Sequence, residues 1–159
     1  MEGETDDSTT ARETALRLLE ETEVCTLATA SRDGRPEAAT VRFVCDETLT
    51  LYVNSGSTYR KYRNIEENPR VAVVVDGRKK NLQLEGTATE IDGDAAERAK
   101  QRYVEKYGRS QYLTNDESVM FEIEPEWARL LVDGNFPPAY EMVIGEGDTD
   151  PHDAFDTEE

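Results

Sequence analysis

Two neighbouring cations, Arg60 and Lys61, follow a short run of small polar residues at positions 54–57, Asn-Ser-Gly-Ser. A strand pattern precedes this run and a helical pattern follows it, so both cations fall in the first turn of a helix, with Ser57 as its predicted N-cap. A helix start carries partial positive charge, and basic side chains are unfavourable there unless an anion binds with them. Exposed helical N–H groups beside two cations therefore predict a phosphate-binding pocket.

The distribution of charge along the chain supports this interpretation. The whole chain carries a formal net charge of −17, whereas residues 48–84 hold seven basic and three acidic side chains, a balance of +4. The alternative is that these cations are ordinary solvated charges on a helix surface. The small polar lead-in and the scarcity of acidic residues around the two cations favour the anion pocket.

The other residue types disfavour the common forms of side-chain catalysis. The only histidine is His152, which lies in an acidic C-terminal stretch. Cys25 and Cys45 lie in apolar strand patterns without C-x-x-C spacing, which indicates buried free thiols rather than a redox pair or metal ligands. We therefore predict no catalytic side chain and no metal site, and any reactivity has to come from a bound cofactor.

Length and hydropathy predict one domain at residues 1–135, including an N-terminal helix, followed by an extension at 136–159. Within that extension, residues 146–159 are acidic and are predicted to be a disordered tail. No apolar run approaches the ~20 residues of a transmembrane helix, and the acidic residues 1–10 do not resemble a signal peptide. The sequence thus predicts a cytoplasmic protein.

The excess of acidic residues limits the possible partners. Aspartate and glutamate total 35, and arginine outnumbers lysine by 13 to 5, a composition that resembles the proteomes of salt-loving archaea. Concentrated salt screens the self-repulsion of such a surface. Nucleic acid and anionic membranes are disfavoured as partners, and a small-molecule substrate is expected instead.

Hydrophobic periodicity predicts a mainly β protein, a barrel with flanking helices. Helical spacing occupies residues 8–23, with Thr9 or Thr10 as a possible cap, and a later helix begins at Asp92 or Asp94 and ends near Gly108. Six to seven mostly antiparallel strands are expected. Their predicted ranges are 24–30, 37–45, 48–54, 71–75, 80–91, 119–124 and 127–132, with 71–75 fully buried.

Several of these segments together resemble the pyridoxamine 5′-phosphate oxidase-like family of FMN-binding split barrels. The strongest piece is Leu-Tyr-Val-Asn-Ser-Gly-Ser at 51–57, then Arg60-Lys61, then Asn-Ile-Glu-Glu-Asn-Pro-Arg-Val at 64–71. Further pieces follow the family's order at 27–29, 33–36, 42–44 and 82–88. The resemblance covers residues 24–91 well and the rest loosely. It implies FMN as cofactor, bound at the interface of a homodimer.

The resemblance also implies roles for particular residues. Arg60 and Lys61 would hold the FMN phosphate, Arg42 would face the phosphate or ribityl chain, and the partner subunit would contribute Gln83. The implied cofactor-binding set is Arg42, Phe43, Val44, Cys45, Tyr52, Val53, Asn54, Ser57, Arg60, Lys61 and Gln83.

Each of these roles has a structural alternative. Arg42 could pair with a cross-strand carboxylate, Tyr52 could belong to the core, and Gln83 could simply face outward between the inward Leu82 and Leu84. Trp127 is expected in the core or at the dimer interface.

The C-terminal segment departs from the family pattern. Pyridoxamine phosphate oxidases carry a tryptophan–glycine stretch and paired arginines that grip the substrate phosphate, whereas residues 127–145 hold only Trp127 and Arg129 in a different spacing. Vitamin B6 oxidation is therefore disfavoured. The sequence predicts a flavin-dependent oxidoreductase of unknown substrate. A deazaflavin-dependent reductase on the same fold and a non-catalytic flavin or haem carrier stay open.

Overall fold

The computed structural model describes residues 7–146, so residues 1–6 and all but the first residue of the predicted acidic tail at 146–159 lie outside the described residues. The helices are α1 (Asp7–Glu21), α2 (Arg60–Glu67) and α3 (Gly93–Tyr107), and a short 3-10 turn covers Gln111–Leu113. The strands are β1 (Val24–Ala30), β2 (Pro36–Arg42), β3 (Val44–Cys45), β4 (Leu51–Gly56), β5 (Arg70–Asp76), β6 (Asn81–Ile91), β7 (Ser118–Asp133) and β8 (Ala139–Ile144).

The eight described strands form one antiparallel sheet in the order β2-β1-β5-β6-β7-β4-β3, and β8 pairs with β7. The strand β7 is 16 residues long. Its first half pairs with β4 and its second half with β8. This curled, mostly antiparallel sheet with flanking helices confirms the predicted split-barrel architecture. The structure divides the predicted strand 37–45 into β2 and β3, joins the predicted strands 119–124 and 127–132 into β7, and adds β8, which turns the seven predicted ranges into eight described strands.

A bulge at Gly86 interrupts the pairing of β6 with β7, near the place where the other edge of β7 changes its partner from β4 to β8. The pairing of β6 with β7 shifts between Glu85 and Gly86, so that Glu85 faces Trp127 and Gly86 faces Pro125. A Cβ atom added at Gly86 would lie 2.2 Å from the Glu124 carbonyl oxygen. Only glycine permits this close approach of two backbones.

The main core lies on the inner face of the curled sheet, where buried and exposed residues alternate along the strands. Leu82 and Leu84 are buried there, as predicted. The prediction of a fully buried strand at 71–75 is wrong, because Val74 is 39% exposed. A half-buried sheet needs apolar residues on one face only, and valine also suits the outer face because of its β propensity.

The end of α3 and the packing of α2 on the sheet are each set by particular residues. The helix α3 follows Asp92 and ends at Gly108, whose positive φ of 89° turns the chain away, as the sequence predicts. The helix α2 is anchored on β1 by the buried Ile65 and by Asn64, whose Nδ2 donates to Thr29 Oγ1 at 3.0 Å. No helix within residues 7–146 is long and apolar enough to cross a membrane.

Candidate anion-binding site

A cavity of about 340 Å³ opens where the ends of β2 and β4 meet the start of α2 and the end of α3. Strand β2 contributes residues 40–42, and the loop after α3 closes the far side. Five side chains in the wall carry the polar chemistry discussed below: Arg42, Asn54, Lys61, Tyr103 and Tyr107. The cavity thus contains three residues of the predicted cofactor-binding set and three tyrosines outside that set, since Tyr59 also lines it.

The start of α2 differs from the prediction in its capping residue. Ser57 is not the N-cap, because the helix begins at Arg60 and Tyr59 occupies that position without a side-chain capping bond. Ser57 instead donates its N–H to the Glu117 carbonyl at 2.8 Å, and Tyr59 donates its N–H to the Gly56 carbonyl at 3.2 Å. These bonds continue the turn after β4 and delay the helix by two residues. The helix start is left without a side-chain cap and without acidic residues in its first turn.

The two predicted phosphate-binding cations occupy different environments. Lys61 lines the cavity and is half-buried. Loss of hydration lowers its pKa, and the charge of Glu37 opposes that change only in part. Arg60 does not line the cavity; its Nε lies 3.6 Å from Glu37 Oε2, and its side chain is 47% exposed. The structure therefore places one of the pair in the pocket and gives the other a carboxylate partner.

Asn54 has an amide group with an unused donor. Its Oδ1 accepts a hydrogen bond from Ser118 Oγ at 2.8 Å. Its Nδ2 is buried and has no partner among the described residues. A buried amide donor without a partner carries a desolvation cost. Because Asn54 lines the cavity, a ligand acceptor could satisfy this donor.

Tyr103 of α3 stabilises the backbone around the cavity. Its hydroxyl accepts the Asn54 N–H at 3.0 Å and lies within donating distance of the Arg42 and Tyr52 carbonyls, at 3.0 and 3.1 Å. Because β3 pairs with β4 only at residues 51 and 52, the Asn54 backbone lies beyond that pairing and needs other hydrogen-bond partners. The tyrosine hydroxyl supplies them from a distant part of the chain.

Tyr107, one helical turn later, likewise forms hydrogen bonds with backbone groups, here around Phe43. It accepts the Phe43 N–H at 3.1 Å and donates to the Glu23 carbonyl at 2.8 Å or to the Phe43 carbonyl. Burial is the largest cause that raises the pKa of Tyr107, to about 12, and it raises the pKa of Tyr103 still more strongly. Both hydroxyls are thus neutral donors at ordinary pH. The sequence signal for this pair was the i, i+4 spacing of two tyrosines on one helix face.

Arg42 lies at the cavity edge rather than against a cross-strand carboxylate. Its guanidinium carbon is 4.9 Å from the centre of the Tyr107 ring, a cation–π distance. The Arg42 side chain is exposed and lines the cavity. A positive charge stacked in this way remains available to an anion.

Other members of the predicted set do not line this cavity. Phe43, Val44 and Val53 are 2% exposed or less and belong to the two hydrophobic clusters. The Tyr52 hydroxyl donates to Asp46 Oδ2 at 3.2 Å. Burial is the main cause that raises the pKa of Cys45 to about 11, so its thiol is neutral. Any contact that these residues make with a ligand has to involve their backbone or a rearrangement.

Gln83 lies on the outer face of the sheet, as its alternative reading anticipated. Its Oε1 accepts two hydrogen bonds from Arg129, from Nη2 at 2.8 Å and from Nε at 3.2 Å. The Arg129 guanidinium also stacks on the Tyr140 ring, 3.9 Å from its centre. Gln83 therefore does not line the cavity of its own protomer, and its side chain is held by Arg129.

A second, smaller cavity of about 190 Å³ lies on the other side of Asn54 and Ser118, at the start of α3. Its wall includes three acidic side chains and one basic one: Glu90, Asp92, Glu97 and Lys100. Lys100 pairs with Glu97 at 3.3 Å. Within residues 7–146 no group of histidine, cysteine or acidic side chains could hold a metal ion.

Comparison with known proteins gives the context for this geometry. Residues 11–132 match the family model described as pyridoxamine 5′-phosphate oxidase. A pyridoxine/pyridoxamine 5′-phosphate oxidase from Rubrobacter xylanophilus is 41% identical over an alignment of 91 residues, which covers 52% of this chain and 41% of the relative. The chain thus spans about two-fifths of the length of that curated relative.

Two solved structures share the fold. A haem storage protein from Vibrio cholerae is 21% identical, with a TM-score of 0.67 over 77% of this chain and 94% of its own. An F420 reductase is 24% identical, with a TM-score of 0.58 over 70% of this chain and 93% of its own. The family-model match covers most of the chain. The chain therefore belongs to the pyridoxamine 5′-phosphate oxidase family of split-barrel proteins.

Proposed function

We propose that this protein is a homodimeric FMN-binding oxidoreductase and that the larger cavity receives the cofactor phosphate. The observation that carries the proposal is the environment of Lys61. Its ammonium is half-buried beside the uncapped start of α2. No carboxylate within the described part of the chain forms an ion pair with it. A desolvated cation next to free helical N–H groups is complementary to a phosphate dianion.

The residues of the wall fit the rest of a flavin nucleotide. Arg42 would add a second positive charge at the cavity edge, and the buried Nδ2 of Asn54 would donate to a ribityl or phosphate oxygen. The Tyr103 and Tyr107 hydroxyls hold the wall in place through the backbone. FMN would supply hydride or electron transfer at its ring. The protein would bind and orient that ring.

The size of the cavity supports a site completed by a second subunit. Its 340 Å³ is near the lower end of the roughly 300–1,000 Å³ typical of ligand pockets. A flavin ring would therefore extend beyond the wall of one protomer. A partner that covered the exposed part of the ring would exclude water and complete the site.

The outer face of the sheet suits such a partner. Thr40, which lines the cavity, begins a row that continues across the sheet through Thr26, Val74, Gln83 and Arg129. Small or uncharged side chains dominate this row and its neighbours, in a chain that is 33% charged. Val24 and Val74 are exposed there, at 44% and 39%. Covering this face would bring Gln83 of the partner subunit toward the cavity region.

Two other ligands can be ranked on the same geometry. A deazaflavin reductase is the second candidate, because a longer anionic tail would also use Lys61 and Arg42, and the F420 reductase shares the fold. A haem carrier fits less well. The described cavity wall contains no histidine, methionine or cysteine to bind the iron, and the hydroxyls of two of its three tyrosines, Tyr103 and Tyr107, are occupied by backbone groups.

An absorption spectrum of the purified protein tests the proposal directly. We expect the bands of oxidised flavin, retained after desalting and released as FMN on denaturation. Bleaching by a nicotinamide or other reductant under exclusion of oxygen would show that the flavin is redox-active in place. A deazaflavin spectrum would support the second candidate, and a Soret band with no flavin would refute both.

A further inference from the structure

The side chain of Tyr59 lies at the mouth of the larger cavity and contacts its cation. The Lys61 Nζ atom lies 4.5 Å from the centre of the Tyr59 ring, within cation–π distance. Tyr59 lines the cavity and is 50% exposed, one of four exposed large hydrophobic residues in the described chain. Because half of the ring is exposed, packing in the hydrophobic core does not explain its position beside the half-buried Lys61 ammonium.

The backbone of β4 fixes the position of the ring. Three ring atoms of Tyr59 lie 3.4, 3.4 and 3.5 Å from the place where a Cβ atom would stand on Gly56. The ring therefore rests against a residue without a side chain. The bond from the Tyr59 N–H to the Gly56 carbonyl closes the turn beneath it. Together these contacts hold the ring although half of it is exposed.

The ring is a neutral partner for a desolvated charge. Burial lowers the pKa of Lys61, so its ammonium form needs a compensating contact. A carboxylate would compensate but would also compete with a bound anion and repel it. The Glu37 carboxylate, whose charge also acts on Lys61, pairs with Arg60 instead, with 3.6 Å between Arg60 Nε and Glu37 Oε2. An aromatic face attracts the ammonium and leaves its net charge unneutralised.

We propose that Tyr59 is a positioning residue for anion binding, which holds the flexible Lys61 side chain in the cavity wall so that a phosphate meets a cation already in place. This inference rests on the proposed FMN function, since it concerns the cation assigned to the cofactor phosphate. A lysine side chain has a flexible stem of four carbons. Restricting that stem before the anion binds reduces the conformational entropy lost on binding.

The test compares Tyr59→Leu, which removes the ring, with Tyr59→Phe, which keeps it. In FMN titrations we expect Tyr59→Leu to weaken binding about 3- to 30-fold, the range of a partly desolvated cation–π contact, and Tyr59→Phe to stay within about twofold of the parent. Riboflavin lacks the phosphate, so its affinity should be the same in all three proteins. An equal loss for riboflavin, or a loss in Tyr59→Phe, would overturn the positioning role.

A double variant tests whether Tyr59 acts through Lys61. If it does, Tyr59→Leu should weaken FMN binding little or not at all in a Lys61→Ala background. Full additivity of the two losses would overturn the proposal.

NMR of the lysine side chain distinguishes failure of this inference from failure of the FMN proposal. The ring should shift the Lys61 Hε resonances upfield in the parent and in Tyr59→Phe, and the shift should vanish in Tyr59→Leu. If the parent binds no FMN, the proposed function fails, and titration with inorganic pyrophosphate then tests the anion site alone. Unchanged Lys61 resonances in Tyr59→Leu, or pyrophosphate binding that is equal in both variants, would overturn the inference.

Discussion

Arg60 and Glu37 form an ion pair, with 3.6 Å between Nε and Oε2, and this contact gives two adjacent cations different environments. Lys61 lines the cavity, while Arg60 lies outside it with a partly solvated carboxylate partner. We therefore expect Lys61→Ala to cost FMN binding about 1.5–3 kcal/mol, the usual contribution of a charge-assisted contact. Arg60→Ala should cost clearly less. Calorimetric titration with FMN measures both.

Two controls accompany this prediction. Lys79→Ala removes the same charge from an exposed turn and should leave FMN affinity unchanged. Riboflavin should bind Lys61→Ala as well as it binds the parent. Equal effects of the Arg60 and Lys61 variants would contradict the proposal that, of the two, Lys61 alone holds the phosphate.

Asn54 provides a second prediction about the ligand. Asn54→Asp keeps the shape of the side chain but replaces the unpartnered Nδ2 donor by an acceptor and adds a negative charge in the cavity wall. We expect FMN affinity to fall at least tenfold through repulsion and the lost donor. Ser118→Ala, which removes only the hydroxyl that donates to Oδ1, should change affinity much less. Comparable losses of affinity in the two variants would show that FMN binding does not depend on donation from Asn54 Nδ2.

The buried tyrosines predict an alkaline limit to stability. Burial raises the pKa of Tyr107 to about 12 and that of Tyr103 further, whereas a free phenol has a pKa of about 10. Above that pH the unfolded chain releases phenol protons that the folded chain retains. The free energy of unfolding should therefore be constant with respect to these groups below about pH 10 and fall between about pH 10 and 12.

Urea unfolding at pH 8 and at pH 11 measures this effect. Tyr103→Phe should lower stability at pH 8 by about 1–3 kcal/mol, because the Asn54 N–H loses its acceptor. The same variant should also show a smaller decrease between the two pH values. The Cys25 thiol, whose pKa burial raises to about 12, contributes with the same sign in both proteins and cancels in the comparison. An unchanged pH dependence in the variant would refute the assignment.

The fold was largely predictable because its signals are local. Alternation around Leu82 and Leu84 indicated a half-buried strand, and Gly108 marked the end of a helix. The position of Lys61 in the first turn of α2 was also predictable from the local sequence. A basic side chain is unfavourable there unless an anion binds with it, which is why the sequence indicated an anion site. Each of these features depends on residues within one or two turns of each other.

The features that sequence reasoning missed depend on distant contacts. The Tyr103 hydroxyl meets the Asn54 N–H, which is 49 residues away in the chain. Arg60 and Lys61 are equivalent in the sequence, and only the position of Glu37 on the facing strand distinguishes them. The displaced start of α2 follows from the bond between Ser57 and Glu117, which no local capping rule contains.

Dimer formation through the outer sheet face predicts a specific effect of salt and mutation. The protein should be a dimer, about twice 17.9 kDa, in ~2 M salt, and should dissociate as salt is withdrawn, because two chains of −17 repel each other. Val74→Arg, on that face, should favour the monomer and weaken FMN binding. Phe136→Arg also replaces an exposed apolar side chain by arginine, at an 85% exposed residue in the loop before β8. This control should change neither the oligomeric state nor FMN binding. Light scattering gives the mass, and a monomer that binds FMN tightly would refute the interfacial site.

The last prediction concerns the substrate and follows from the region after residue 126. A phosphorylated substrate needs an anion clamp separate from the one that holds the cofactor phosphate, because an uncompensated second dianion would be costly to desolvate. The family-model match ends at residue 132, and Arg129 is already engaged by Gln83 and the Tyr140 ring. We therefore expect no appreciable oxidation of pyridoxine or pyridoxamine 5′-phosphate, whereas an uncharged quinone should accept electrons from the reduced flavin. Oxygen consumption coupled to formation of the aldehyde from pyridoxine 5′-phosphate is the decisive assay, and steady turnover would show that residues 127–145 do bind the substrate phosphate.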